Sequence, residues 1–526
     1  MDGIELALLE RRTQAICDEM GVVLKRTAFS PNIKDRLDFS CALFDADGEL
    51  FAQAAHIPVH LGSMAYAMAD VVEGIAWKAG DIVMFNDPFL GGTHLPDVTV
   101  VTPVFAGDAL IGFAANRAHH ADIGAEQPGS MPLSTTLAEE GEVIPPMLLL
   151  RDAQVPKQAA EVLARLAGDD GRAAVAAGLE AWQERPELAD FFAQVSSARV
   201  GAERMLALVE RMGADTFRGG MVELNDYAER LAREALRALP NGDWEAKDLL
   251  DGDGISSKDI PIHACIRVRE DGVEVDFAGT GAQVEGNLNC PLSVAAAAVF
   301  YVFRCLMPAH TPASAGAFRP IRLSAPEGSL LNARRPAAVA AGNVETSMRV
   351  VDVLLKALAP ALPGRIPAAS QGTMNNLAMG ARGADGHWDY YETLAGGTGA
   401  HAGGPGLHAV HSHMTNTLNT PVESLEAHYP LQVQRYALRR DSGGRGRHAG
   451  GDGVIREYRF LAAAEVSLLT ERRRHAPWGL DGGESGRAGA DRLNGEPLPG
   501  KASFRVEVGD VLTLETPGGG GYGTPD

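Results

Sequence analysis

From residue 151 to about residue 240 the chain is rich in Ala, Leu and Glu and has few β-branched runs. Such a stretch reads as a block of helices, because Ala and straight-chain residues lose little rotamer freedom in a helix. Its candidate members are Gln158–Leu166, Arg172–Arg185 and Ala198–Met212. The surroundings differ. From Asp38 to Gly124, short runs of strand formers such as Ser40–Phe44, Asp81–Phe85, Val98–Val101 and Leu110–Phe113 are broken by Gly and Pro. Asp45–Gly48 reads as a hairpin turn leading into Leu50–Ala52. Beyond Pro240-Asn241-Gly242 the strands return, with Ile262–Arg269 and Val273–Phe277 forming a hairpin across Glu270–Gly272. Ser293–Leu306 and Val344–Leu358 read as helices, as does the amphipathic run from residue 4 to about 28. From Val422 onward, Gly-rich turns and strand-like runs dominate.

This segregation points to an α+β class with mixed β-sheets, a helical block and a Gly-rich β C-terminal part. At 526 residues the chain exceeds what one core usually holds, so it is expected to be multi-domain. The expected units are an N-terminal α+β part (1–150), the helical block (151–240), a central α/β part (241–421) and a β-rich part with a Gly-rich tail (422–526).

Charge and cysteine usage narrow the function classes. Asp and Glu total 68 against 47 Lys and Arg, a net charge of −21 that speaks against nucleic acid as the main partner. Five cysteines (Cys17, Cys41, Cys265, Cys290, Cys305) show no CxxC pair, the usage of a reduced, cytoplasmic protein. Cys41 and Cys290 read as small buried hydrophobes rather than nucleophiles. The opening residues predict no signal peptide, and the apolar run Val294–Val302 is too short to span a membrane.

The densest chemistry lies between Phe85 and Asp122: Asn86-Asp87-Pro88, then Gly91-Gly92-Thr93-His94-Leu95-Pro96-Asp97, then His119-His120-Ala121-Asp122. Imidazole nitrogens with a carboxylate oxygen suit Zn²⁺, Mn²⁺ or Fe²⁺; the competing reading is polar residues that cap turns. The segment Asn32–Ser40 offers Asp35 or Asp38 as a further carboxylate, or else is a solvated connection. Gly342–Ser347 precedes a helix and reads either as an anion-holding helix start or as an ordinary cap. His401, His408, His411 and His413 crowd a Gly-rich segment ending Met414-Thr415-Asn416-Thr417, where they either line a cavity or occupy a loop. There is no G-x-x-x-x-G-K-[ST] phosphate loop and no G-x-S-x-G nucleophile elbow. Gly518-x-Gly520-x-x-Gly523 is not read as a dinucleotide fingerprint, since only three residues follow it, too few for the required helix. Thr516–Thr524 is instead expected to be a flexible Gly loop that packs on the body or reaches a partner chain.

Taken together, Asn32–Asp45, Asn86–Pro88 with Gly91–Asp97, Gly342–Ser347, Met414–Thr417 with Glu423 and Glu426, Asp441–Gly444 and Pro517–Gly523 resemble the hydantoinase B/oxoprolinase family. The matches run in order from about residue 30 onward. The resemblance implies the B-type subunit of an ATP-dependent cyclic-amide hydrolase, working as a hetero-oligomer with an A-type subunit that binds and cleaves ATP. It implies a divalent metal ion (Zn, Mn or Fe) on His94, Asp97 and His119, with Asp38 as fourth ligand and Asp35 as its rival. His120 and Asp122 then take catalytic proton-transfer roles. A metal-activated water would open a ring that the partner has phosphorylated. The alternatives are the large subunit of an ATP-dependent ketone carboxylase, similar in fold, or a non-catalytic scaffold for the A-type subunit.

Overall fold

The computed structural model describes residues 1–55, 57–256, 258–383 and 386–525. Its N-terminal part is built on a six-stranded sheet of β1 (Phe39–Asp45), β2 (Leu50–Ala55), β3 (Ile82–Phe85), β4 (Asp97–Ala106), β5 (Ala109–His119) and β6 (Met147–Leu150), in the order β2-β1-β5-β4-β3-β6. Side chains alternate across each strand. Phe39, Cys41 and Leu43 pack with the helices Gly3–Thr27 and Pro186–Met212, while Ala42 and Phe44 pack with Met64 and Met68 of the helix Pro58–Glu73. Helices on both faces explain why β1 is apolar almost throughout. The expected hairpin turn is present: Asp45 Oδ1 accepts from the backbone N–H groups of Asp47 and Glu49, and Gly48 takes φ 81°.

The expectation of strands from Asp38 to Gly124 is corrected at Pro58–Glu73, which is helical. This helix crosses Leu292–Leu306 at Gly62, where a Cβ would lie 2.5 Å from Ala297 Cα. That tertiary crossing, invisible in a local window, rewards the helix. The block 151–240 is helical as expected, but it contains the long helices Pro186–Met212 and Ala214–Arg237, and Arg172–Arg185 is interrupted by Gly178 at φ 93°.

A second sheet joins Gly242–Leu250, Ile260–Arg269, Gly272–Asp276 and Ile321–Ser324. Its inward face packs on Leu292–Leu306 and Ser347–Leu358, the latter preceded by a π-turn at Gly342–Thr346. A third sheet combines Asn376–Gly383 and Gly386–Glu392 with Ala464–Leu469 and Lys501–Val506. The fourth contains Leu431–Arg439, Gly453–Phe460 and Val511–Glu515. Because the chain passes back and forth between these two sheets, the expected division at 421/422 cuts through the third sheet. The Gly-rich tail packs on the body: Gly519 and Gly520 donate to the Gly451 and Ala369 carbonyls. A Cβ on either glycine would lie 2.0 Å from a backbone oxygen. No described helix is long and apolar enough to cross a membrane.

Candidate metal centre

Three adjacent strands of the first sheet end at one edge and place three of the expected residues there. Asp97 opens β4, His119 closes β5, and the register pairs them directly. Asp38 lies one residue before β1, and its carbonyl accepts from the His119 N–H at 3.0 Å. His94 comes from the loop before β4, where Asp97 N donates to the His94 carbonyl. The spacing His-x-x-Asp followed by a later His therefore works through strand pairing rather than through a helix face.

One nitrogen each of His94 and His119 and one oxygen of Asp97 lie within 4.8 Å of one another, all buried. His94 Nε2 is 3.2 Å and His119 Nδ1 3.3 Å from Asp97 Oδ1. The other carboxylate oxygen is held elsewhere: Oδ2 accepts from Thr93 Oγ1 at 2.7 Å and from Asn343 Nδ2 at 3.3 Å, with His60 Nε2 at 3.3 Å. His94 Nδ1 lies 3.2 Å from the Ala340 carbonyl. Because a carbonyl only accepts, the Nδ1 proton stays there and Nε2 faces Asp97. His94 Nε2 and Asp97 Oδ1 have no hydrogen-bond partner among the described residues.

Two lone-pair atoms facing each other in a buried site need a proton or a cation between them. Ligand atoms about 2.0–2.1 Å from a tetrahedral ion sit roughly 3.3 Å apart, which matches the spacings around Asp97 Oδ1. Imidazole and carboxylate are also the donors that divalent transition ions take. The residues thus fit a divalent ion. Burial opposes ionisation of Asp97, yet His94, His60 and His119 outweigh it and hold the carboxyl well below the usual range, and the same contact raises the His94 imidazole against its burial. Burial pushes the His119 imidazole down, toward the neutral form that can ligate.

The surrounding pocket encloses about 20 Å³ and is lined by Asp38, His60, the three cluster residues, Asn343, Tyr391, Thr393, Thr415 and Thr417, with Ile57, Val59, Val344 and Met374 as its apolar part. Asp38 is therefore in the wall but not in the tight cluster, and its Oδ2 lies 3.7 Å from Arg36. Asp35 does not line the pocket; it acts on Tyr429 instead. The structure does not bring His120 or Asp122 to the pocket. His120 Nε2 bonds Gln194 Oε1 at 2.8 Å and its ring lies against Phe191, so it braces the helix Pro186–Met212 against the loop. Asp122 accepts from Gly124 N and pairs with Arg382 at 3.0 Å.

Sequence reading missed His60, a single His in an apolar helix start with no motif around it. It also missed Tyr391, whose ring stacks on His119 at 4.8 Å, and Arg36, whose guanidinium lies 4.8 Å from the Tyr391 centroid. Asn343, Thr415 and Thr417 fell in polar runs that stood out without an assigned role. Of the histidines in the Gly-rich segment, His411 and His413 are enclosed, while His401 and His408 are on the surface. Burial raises the Cys41 thiol to about 12 and the Cys290 thiol still further, consistent with inert packing residues.

The hydantoinase B/oxoprolinase family model matches residues 2–525. The chain belongs to the hydantoinase B/oxoprolinase family. A Pseudomonas sp. protein named as the B-type subunit of a D-/L-hydantoinase is 33% identical, with 100% of this chain and 90% of that protein covered. Arabidopsis thaliana 5-oxoprolinase 1 is 38% identical over 99% of this chain, which spans only 42% of that longer protein. Among solved structures, an ATP-dependent caprolactamase from Pseudomonas jessenii superposes with a TM-score of 0.90 at 26% identity, covering 100% of this chain and 91% of that one. An acetone carboxylase chain shares the fold, with a TM-score of 0.84 at 17% identity, 99% of this chain and 76% of that chain covered.

Proposed function

We propose that this chain is the B-type subunit of an ATP-dependent cyclic-amide hydrolase that works with a separate A-type subunit. The observation that supports this most is the buried His94–Asp97–His119 cluster, in a family whose relatives include proteins named as a 5-oxoprolinase, a hydantoinase B-type subunit and a caprolactamase. The A-type partner is inferred from the subunit name of one relative and from the much greater length of the oxoprolinases. The ring would arrive activated by phosphorylation on the partner.

In this reading His94, Asp97 and His119 hold a divalent ion, with Asp38 the carboxylate placed to join them. The chemistry such an ion supplies when bound is Lewis-acid activation of water near neutral pH. The chain's own contributions follow from its geometry. The Ala340 carbonyl fixes the His94 tautomer, and Thr93, Asn343 and His60 hold one oxygen of Asp97 so that the other faces the imidazoles. Ile57, Val59, Val344 and Met374 keep bulk water out. The walls leave a narrow space beside the cluster. Those walls come from distant stretches of the chain, around residues 57–60, 374 and 391–393.

Co-expression with an A-type subunit and His94→Ala tests the proposal. Bound metal and ring opening of hydantoins, 5-oxoproline or lactams should both be lost, while ATP cleavage by the partner remains measurable. Ring opening undiminished by the substitution would overturn it.

A further inference from the structure

The same pocket that holds the metal-ligand cluster also has a wall of hydroxyls. Thr393, Thr415 and Thr417 line it and are buried. Behind them lies Arg36, fully buried, which donates to the Tyr391 carbonyl at 2.9 Å, to Asn32 Oδ1 at 3.2 Å and to Thr393 Oγ1 at 3.3 Å. Its Nε has no partner among the described residues. A guanidinium can only donate, so it occupies one lone pair of Thr393 and leaves that hydroxyl its proton and its second lone pair. Thr393 Oγ1 lies 2.7 Å from Thr417 Oγ1, which makes no other hydrogen bond among the described residues. The two hydroxyls share one hydrogen bond, so whichever of them donates, the other keeps a proton to offer in the pocket that both line.

Charge points the same way. A second buried guanidinium, Arg117, spends its bonds on neutral oxygens: Thr99 Oγ1, Ser63 Oγ and the Gly91 carbonyl. The carboxylate that acts on it is Asp97, and the one within ion-pair distance of Arg36 is Asp38. Both carboxylates also face the cluster. When they serve a divalent cation, the two guanidiniums are left short of negative charge, and buried charge without a partner is costly. An anionic ligand oxygen restores the balance.

We infer that the wall Thr393–Thr417, backed by Arg36, is an oxyanion subsite holding the negatively charged oxygen substituent of the substrate beside His94, Asp97 and His119. Resting on the function proposed above, that substituent is the phosphoryl group of an activated amide; a carboxylate-type anion such as bicarbonate shares the chemistry. In either case no bond is made or broken by the wall, which orients and neutralises the group. Thr415 extends the wall and is itself held by His411 Nδ1 at 3.3 Å.

Inorganic phosphate and bicarbonate, each titrated calorimetrically into the full-length chain with Mn²⁺ present, test the subsite without any activity assay. Thr417→Val and Thr393→Val should each weaken phosphate binding on the order of tenfold, the loss expected for one hydrogen bond to a charged group. Thr417→Ser should restore the affinity, and metal content should be unchanged in all variants. Phosphate and bicarbonate binding unaltered by either valine variant overturns the subsite. Preference for bicarbonate supports the oxyanion wall and overturns the phosphoryl assignment. Absence of ATP-dependent ring opening, with Thr417-dependent phosphate binding intact, overturns the hydrolase reading alone. Ring opening indifferent to Thr417→Val overturns the subsite alone.

Discussion

Asp97 shows how much one side chain's environment decides. Its two oxygens are chemically alike, but Thr93, Asn343 and His60 surround Oδ2, so only Oδ1 is left to the two imidazoles. Thr93→Val or Asn343→Leu is therefore expected to lower affinity for a divalent ion about 10- to 100-fold, read by competition with a chelating dye. An unchanged affinity would show that Asp97 is held by packing alone. Glu345 poses a different residue-scale question. Its Oε1 accepts from Met374 N and Asn376 Nδ2, while Oε2 has no partner among the described residues, and burial raises its pKa from 4.5 to about 8. The folded state therefore keeps a proton that the unfolded chain releases, so stability should fall as pH rises from about 4.5 to about 8. Glu345→Gln should flatten that part of the stability profile in chemical denaturation at several pH values.

At the scale of elements, the pairing of β4 with β5 matters most, because it converts a sequence separation into a direct Asp97–His119 juxtaposition. The neighbouring pairing of β1 with β5 brings Asp38 to the same edge. Slipping either pairing by one residue would turn the ligands to the opposite face of the sheet. The helix Pro58–Glu73 delivers His60 from its first turn, and its approach to Leu292–Leu306 depends on Gly62. Gly62→Val should push these helices apart, costing roughly 1–3 kcal/mol in thermal unfolding. It should also loosen His60, seen as weaker metal binding. Wild-type stability would mean that the crossing tolerates a side chain.

Across the whole molecule, a buried ionic network ties the second sheet to the third. Arg472 bonds Asp248 at 3.0 Å and also pairs with Asp352, while Arg349 bonds Glu471 at 3.1 Å and Lys501 bonds Glu471 at 2.6 Å. Its members come from the Gly242–Leu250 strand, the Ser347–Leu358 helix, the Lys501–Val506 strand and the loop after Ala464–Leu469. Arg472→Leu would leave buried Asp352 without its hydrogen-bonded cation, with Arg349 and His413 remaining near it at 3.9 Å, and a loss of about 3–5 kcal/mol is expected in denaturant unfolding. Burial opposes ionisation of Asp248, but Arg472 and Arg349 outweigh it and lower its pKa from 3.8 to about 2. That contribution is present above about pH 4 and should vanish as pH falls toward 2.

The α+β class, the helical block and the candidacy of His94, Asp97 and His119 were legible in the sequence because they rest on local signals. Those signals are composition over tens of residues and polar groups close together along the chain. The residues offered Asp38 only as an equal of Asp35, the resemblance preferred it, and its place at the sheet edge is a matter of strand register. His60, Tyr391 and Thr393 carried no such signal. Each lies in an ordinary local context and meets the site only because distant segments pack against it. His120 and Asp122 mark the converse: adjacent to His119 in sequence, they leave the strand in other directions, toward Gln194 and Arg382. Periodicity and spacing depend on neighbours along the chain, and so the sequence by itself determined the class of the molecule and the core of the candidate cluster. Which other groups face the pocket is decided by long-range packing, and only the tertiary structure supplies it.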